Sequence, residues 1–86
     1  MQVQSPPQQD GVRSVLMSVS LGNHKGILEL VEFDDRTFGV CRDGAQVHAN
    51  RFNPKDVERS VATFLKSRRL LESGMELAEV RAQLSS

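Results

Sequence analysis

Cys41 and His48 are the residues of this 86-residue chain whose types and spacing suggest nucleophilic chemistry. With Asp43 and Gly44 as a two-residue hairpin turn, both side chains fall on the same face of a β-sheet. A cysteine nucleophile needs a base and a group that orients the base, and no acidic residue shares that face. A single cysteine and two histidines on separate elements do not indicate a disulfide or a metal site. We therefore expect a protein that is not an enzyme and has no cofactor and no metal.

The face that carries Cys41 and His48 is otherwise polar and is the first candidate for binding a partner. Antiparallel sheets commonly keep one face wet, so a solvated surface is the simpler interpretation. Gly39 lies opposite His48 in the predicted register and would leave a shallow gap in which a partner approaches. The candidate residues of this polar sheet face are Thr37, Gln46, His48 and Asn50.

Four basic residues form the second candidate, a stripe on the long predicted helix. At 100° per residue they fall within an arc of about 80°, opposite the apolar side of the helix. Charge runs on helices are usually solvated, but such a stripe also suits contact with phosphate groups. No aromatic residues are interleaved with it, so stacking on bases is not indicated. The residues of this basic helix face are Lys55, Arg59, Lys66 and Arg69.

A third candidate is apolar and lies at the end of the long helix and in the segment that follows it. Apolar residues recur there at helical spacing and would suit contact with a protein partner or a second copy of the chain. They are Leu70, Met75, Leu77, Val80 and Leu84. Two further stretches, the acidic turn around Asp34 and the turn holding His24, match no calcium loop and no phosphate-binding loop.

Alternating apolar and polar residues predict a strand at 13–21. A second strand, apolar on both faces, is predicted at 27–33, and a third at 37–42. The dipeptide Asp43-Gly44 predicts a type I′ turn, because both residues tolerate the positive φ that this turn requires. A fourth strand is then expected at 45–50. The sequence thus predicts four strands joined by short turns.

The expected side-chain directions follow from the period of two along each strand. In the first strand Val15, Met17 and Val19 are expected to share the buried face. In the hairpin, Phe38 is expected to face Ala49, which collects the apolar side chains on one face. One face of the sheet should therefore be apolar and the other polar.

Asn53 and Pro54 predict the start of a long helix that ends near Gly74. Ser73 and Glu76 have the spacing of a capping box and predict a second, short helix. The face of the long helix that is expected to lie on the sheet carries Val57, Val61, Phe64, Leu65 and Leu71.

These elements predict an α+β fold, an antiparallel four-stranded β-meander with one long helix packed on one face and a short C-terminal helix. Residues 1–11, rich in Gln, Ser and Pro, are expected to form a flexible N-terminal tail. Residues 12–86 are expected to form a single small domain. So short a chain builds a thin core, which a homodimer contact would reinforce.

The chain is neutral overall, with eleven basic and eleven acidic residues, but its charges are segregated. Residues 36–69 hold eight basic and three acidic residues, whereas the segments on either side are acidic. No apolar run approaches the roughly 20 residues of a membrane helix, and the N-terminus lacks the features of a signal peptide. We therefore expect a cytoplasmic protein that does not bind membranes.

Two segments of the helical half, Asp56-Val57-Glu58-Arg59 and residues 74–81, resemble the later helices of MerR-type regulators. In that family a helix beginning with the same four residue types leads into a Gly-aromatic-Ser-Leu-x-Glu-Ile-Arg segment. Here the spacing between the segments is about one helical turn longer, and strands are predicted where the family has a helix-turn-helix. The resemblance covers a third of the chain. It adds some weight to nucleic-acid binding and implies no site residues.

Two functions remain open at this point. The first is a small non-catalytic protein-binding module that modulates a partner protein, as an adaptor or an inhibitor does. The second is a nucleic-acid-binding regulator that uses the basic helix face. The balanced charge favours the first, because nucleic-acid-binding proteins tend to carry a clear basic excess.

Overall fold

A computed structural model describes residues 11–22, 26–47 and 50–85 and has the predicted α+β fold. One antiparallel sheet has the strand order β1-β2-β3-β4. A 3₁₀ turn leads into a long helix α1, and a shorter helix α2 follows. The elements are β1 (Val12–Ser20), β2 (Ile27–Phe33), β3 (Phe38–Arg42), β4 (Ala45–Gln46), the 3₁₀ turn (Pro54–Asp56), α1 (Val57–Glu72) and α2 (Leu77–Ser85).

Of the predicted tail, residues 1–11, the structure describes only Gly11. The carbonyl of Gly11 accepts a hydrogen bond from the N–H of Asp34, with 2.7 Å between nitrogen and oxygen. This bond joins the start of β1 to the turn after β2. His24, in the turn between β1 and β2, also lies outside the described residues.

The turn at Asp43 and Gly44 is confirmed. Their φ angles are 50° and 88°, and Arg42 pairs with Ala45 as predicted. The side chain of Asp43 also forms a hydrogen bond, in which its Oδ1 accepts from the N–H of Ile27 at 3.0 Å. The turn between β3 and β4 is thus tied to the start of β2.

The fourth strand is shorter than predicted. Only residues 45–46 form β4, although the N–H of Val47 still donates to the carbonyl of Val40 at 2.7 Å. Phe38 pairs with Phe52, through two backbone hydrogen bonds of 2.9 and 2.8 Å. The expected partner, Ala49, is not among the described residues. No local turn signal in the sequence marks the pairing of Phe38 with Phe52.

The outer strand β1 differs from the prediction in the direction of one side chain. Val15 pairs with Val31, whereas Met17 pairs with Leu30, so two steps along β1 match one step along β2. This bulge at Leu16 turns Val15 to the opposite face from Met17, since an extra residue exchanges the faces of a strand. Val15 was expected to be buried, and it is 49% exposed.

The main core lies between the sheet and the two helices. It is built from Leu28 and Leu30 of β2, Val40 of β3, and Phe64 and Leu71 of α1. A second, smaller cluster lies on the other face of the sheet and consists of Val31, Phe33 and Cys41, with Val12 packed against it. Strand β2 therefore contributes buried apolar residues to both faces of the sheet.

Helix α1 lies on the sheet with a different face from the one predicted. Its buried residues are Ser60, Phe64, Ser67 and Leu71, which share one stripe at helical spacing. The two serines are small and bond back to the helix, Ser67 through its hydroxyl to the carbonyl of Thr63 at 2.7 Å. Small residues let the helix approach the sheet closely. The centre of the buried arc is displaced by about 60° from the predicted centre, which brings Leu65 to the surface. Val57, in the first turn of the helix, is also exposed.

The end of α1 is a Schellman motif. The N–H of Gly74 donates to the carbonyl of Leu71 at 3.1 Å, and that of Met75 donates to Leu70 at 3.2 Å. Gly74 has a φ of 105°, as a residue directly after a helix often has, so the predicted role of Gly74 is confirmed. Ser73 belongs to this motif, and its hydroxyl donates to the carbonyl of Leu70.

The predicted capping box at Ser73 and Glu76 is wrong by one turn. Helix α2 begins at Leu77, and the N–H of Glu76 donates to the carboxylate of Glu79 at 3.2 Å. A residue before the helix that is capped by an acid three positions later is half of a capping box. Ser73 cannot serve here because it already ends α1.

Candidate functional site

The basic helix face lies on the outer side of α1, away from the sheet. Arg59, Lys66 and Arg69 belong to α1, and Lys55 belongs to the 3₁₀ turn before it. All four residues are exposed. The stripe Ser60, Phe64, Ser67 and Leu71 occupies the opposite, buried side of the same helix.

Arg59 is the member of this face with identified neighbours. Its Nη1 lies 3.9 Å from Oδ2 of Asp56, and its guanidinium carbon lies 5.8 Å from the centre of the Phe52 ring. Among the described residues, Lys55, Lys66 and Arg69 form no ion pair. Three cations at the surface of one helix are therefore available to an acidic partner.

One exposed apolar residue lies beside a cation of this face. Leu65 is 50% exposed, and Arg69 follows it by one helical turn, so these two side chains are neighbours on the helix surface. Val57 is 38% exposed but lies on the side of the helix that carries Phe64 and Leu71, since the three follow one another at intervals of seven residues. Because the sequence assigned Leu65 to the core, it missed this combination of apolar and basic groups.

The structure describes three of the four residues of the polar sheet face, Thr37, Gln46 and Asn50. Thr37 is half-buried and donates hydrogen bonds to Oδ1 of Asp35 through its N–H at 3.1 Å and through its hydroxyl. These two bonds hold the pKa of Asp35 below its ordinary value, with the hydroxyl bond as the largest cause. Asn50 is exposed, and His48 lies outside the described residues.

Gln46 takes part in a contact between β4 and α2. Its backbone carbonyl accepts two hydrogen bonds from the guanidinium of Arg81, at 3.0 Å from Nε and 2.7 Å from Nη2. A charged donor with two bonds to one acceptor makes a strong tie. This contact holds the C-terminal helix against the shortest strand of the sheet.

The gap expected at Gly39 is already filled. A Cβ built on Gly39 would lie 2.6 Å from Cε2 of Phe33, so the phenylalanine ring occupies that space. The guanidinium of Arg51 lies over the ring, 3.5 Å from its centre, and pairs with Asp35 at 3.8 Å. Phe33 and Arg51 thus cover this end of the sheet face that lies opposite the helices, which we call the open face.

The other end of that face is uncovered and holds a cavity of about 710 Å³. Val15 and Ile27 are exposed beside it, and Cys41 is buried beneath it. The apolar sequence of β2 on both faces was the available signal for this site. The full lining is Val12, Arg13, Ser14, Val15, Ile27, Glu29, Val31, Cys41, Asp43 and Gly44.

Cys41 is protonated at neutral pH in this setting. Burial, with a smaller contribution from the negative charge of Glu29, raises the pKa of the thiol to about 11, while Arg51 acts in the opposite direction. The thiolate is the nucleophilic form of cysteine, so a thiol held protonated reacts slowly. Among the described residues, no three side chains of His, Cys, Asp or Glu lie close enough together to hold a metal ion.

The apolar segment offered to a partner by the sequence is used internally. Val80 is completely buried, and the other four residues pack against the main core. These four are Leu70, Met75, Leu77 and Leu84. The segment closes the protein's own core in this structure.

No helix in the described part of the chain combines the length and the apolar character that crossing a bilayer requires. Comparison of the chain with protein-family models, curated proteins and solved structures found no match. Strands occupy the part of the chain where MerR-type regulators have a helix-turn-helix.

Proposed function

We propose that this chain is a small non-catalytic module that binds another protein through the outer face of α1 and thereby modulates that partner. The observation that carries the proposal is the exposed Leu65 at the edge of the basic helix face, one helical turn before the cation Arg69. A protein interface typically combines a few apolar anchors with a charged, wetter rim. The outer face of α1 has both parts on one rigid helix.

The partner surface that fits is an apolar pocket with an acidic rim. Leu65 would enter the pocket, and Lys66 and Arg69 would face the carboxylates, which favours fast association and a fixed orientation. Such a site acts by covering a surface of the partner, so no reaction of this chain is needed.

The exposed apolar residues favour a protein over a nucleic acid as the partner. Phosphate groups are bound by cations and hydrogen-bond donors, and an aliphatic side chain beside them contributes nothing to that affinity. In a protein interface the same Leu65 removes apolar surface from water, worth about 25 cal/mol per Å².

The test is capture from nuclease-treated lysate of the source cells with the full chain as bait. We expect wild type to retain one defined acidic protein, and Leu65→Glu and the double variant Lys66→Glu/Arg69→Glu to lose it. Arg13→Glu and Val15→Ser serve as matched controls, because they change an exposed cation and an exposed apolar residue on the sheet instead. Circular dichroism verifies that each variant is folded.

Retention that is equal in wild type and the α1 variants would refute the role of this face. Failure of wild type to retain any protein would refute the proposal as a whole. If wild type retains a protein, that protein must also bind the purified chain in titration calorimetry, and Leu65→Glu must abolish this binding.

A nucleic-acid-binding regulator is the second candidate, supported by the unpaired cations of the basic helix face. This function predicts that DNA or RNA binds at low salt, and that binding weakens steeply as salt rises because counterions are released. Substituting Lys55, Arg59, Lys66 and Arg69 together by Ala would abolish it. No shift of any nucleic acid at low salt excludes this candidate.

A further inference from the structure

The open face of the sheet carries exposed apolar side chains that no other part of the described chain covers. Val15 and Ile27 are 49% and 46% exposed, and both line the 710 Å³ cavity together with Val31. Helices α1 and α2 pack on the opposite face. A sheet that is apolar on both faces is usually covered by a layer on each. The lining suits a second apolar layer.

The charges along this cavity are arranged in order. Asp43 is bonded to Ile27, which places it at the start of β2, and Glu29 follows two residues later on the same face. Arg13 lies near the other end, since its neighbour Val12 pairs with Phe33. At about 3.3 Å per residue the acidic and basic ends are separated by roughly 10–20 Å. The lining is acidic at one end, apolar in the middle and basic at the other.

Glu29 and Arg13, at opposite ends of this cavity, are not neutralised by another charge of the described chain. Glu29 is half-buried and Arg13 is exposed, and neither forms an ion pair with another described residue. A half-buried carboxylate gains from a cation that approaches it as water is excluded.

We propose that this face binds a second copy of the chain and forms a symmetric, face-to-face homodimer. A two-fold axis through the apolar middle brings Arg13 of one copy to the partner subunit's Glu29 and the reverse, because a two-fold interface joins the same patch on both subunits. Val15 of each copy then meets the partner subunit's Val15 in the centre, and Ile27 lies toward the edge of the contact. Two sheets stacked in this way lie about 10 Å apart.

The free edge of β1 is a poorer site for self-association than the face. The register of β1 shifts between Val12 and Ser14 and again between Val15 and Met17. Bulges interrupt the ladder that an added strand would continue, and natural edges use them against such pairing. The face needs no continuous ladder, only apolar contact and the two charge pairs.

The first test is light scattering coupled to size exclusion on the full chain, from about 1 μM to about 1 mM, the range in which small interfaces dissociate. We expect a concentration-dependent dimer. Val15→Glu raises its dissociation constant by about 100-fold, because it buries a charge at the centre of the contact. Leu65→Glu on α1 is the matched control and leaves it unchanged.

The second test uses exchanged charges. Arg13→Glu and Glu29→Lys each place like charges together across the axis, and we expect each to weaken the dimer about 10-fold. Mixing the two variants restores opposite charges in both pairs, so the mixture associates as well as wild type. This recovery occurs only if the two residues meet across a two-fold axis.

Three results would overturn the inference. They are a chain that stays monomeric at the highest concentration, a dimer that Val15→Glu leaves intact, and a mixture of the charge variants that associates no better than either alone. The proposed function uses the other side of the molecule, so either proposal can fail while the other stands.

Discussion

The close approach of Gly39 to the ring of Phe33 gives a stability prediction that can be worked out from the structure. A methyl group at Gly39 would lie 2.6 Å from Cε2 and 3.1 Å from Cζ of the ring. Ordinary contacts between carbon atoms begin near 3.5 Å, so the ring must move by several tenths of an ångström or more. Arg51, stacked 3.5 Å from the ring centre, restricts that movement.

The expected cost of Gly39→Ala follows from two opposing effects. Overpacking of a buried site typically costs about 1–3 kcal/mol. Removing a glycine from the unfolded chain returns about 0.4–1 kcal/mol. We therefore expect a net loss of about 0.5–2 kcal/mol in the free energy of unfolding. For a chain of this size each kcal/mol lowers the melting temperature by about 4–8 °C.

Urea unfolding followed by far-ultraviolet circular dichroism measures this change, since the chain has no Trp and no Tyr for fluorescence. Gly22→Ala is the matched control, because a Cβ there meets no atom within 4 Å, and we expect a small gain in stability. In a Phe33→Leu background the clash is absent, so Gly39→Ala should become neutral or stabilising. If Gly39→Ala behaves like Gly22→Ala in the wild-type background, the ring does not fill this space and the reasoning fails.

Two further predictions concern Arg36 and Cys41. Arg36 has a φ of 74°, a conformation that glycine adopts without strain. Arg36→Gly should therefore stabilise the fold by about 0.5 kcal/mol in urea unfolding, although it removes an exposed ion pair with Glu32. Arg36→Ala, which keeps a Cβ, should not stabilise the fold. The pKa of the Cys41 thiol rises from 9.0 to about 11 on folding, so the unfolded chain loses this proton first and stability should fall as the pH rises from about 9 to about 11. Cys41→Ala should remove that part of the pH dependence, and an unchanged profile would contradict the assignment.

The features that the sequence predicts well depend on local backbone conformation. Asp43 and Gly44 adopt the positive φ angles of their turn, and Gly74 ends α1, because these residue types tolerate conformations that others avoid. Strand β2 has the predicted bounds, since its segment is apolar on both faces and lies between two turns.

The features that the sequence does not predict depend on packing between elements. The bulge at Leu16 and the pairing of Phe38 with Phe52 have no marker in the residues themselves. The orientation of α1 does have a marker in the sequence, because Ser60 and Ser67 share a stripe with Phe64 and permit close approach to the sheet. Assigning every apolar residue of the helix to the core hid that signal.

The same limit explains the outcome for the candidate site. The exposure of the basic helix face follows from charge and helical period, and the structure has all four residues exposed. The exposure of Leu65 beside them follows only from the orientation of α1. The cavity beside Ile27 follows only from the register of β1 against β2.

The order of the strands has a consequence for synthesis of the protein. Each strand pairs with its neighbour in sequence, so pairing needs only short loops to close and is fast. The three long strands are therefore complete once Arg42 has been made, whereas Phe64 and Leu71 of α1, which cover one face, are made later. Until then a nascent sheet exposes apolar side chains on both faces, a state prone to aggregation. We expect slower translation of residues 57–72 to prolong that state and to lower the soluble yield.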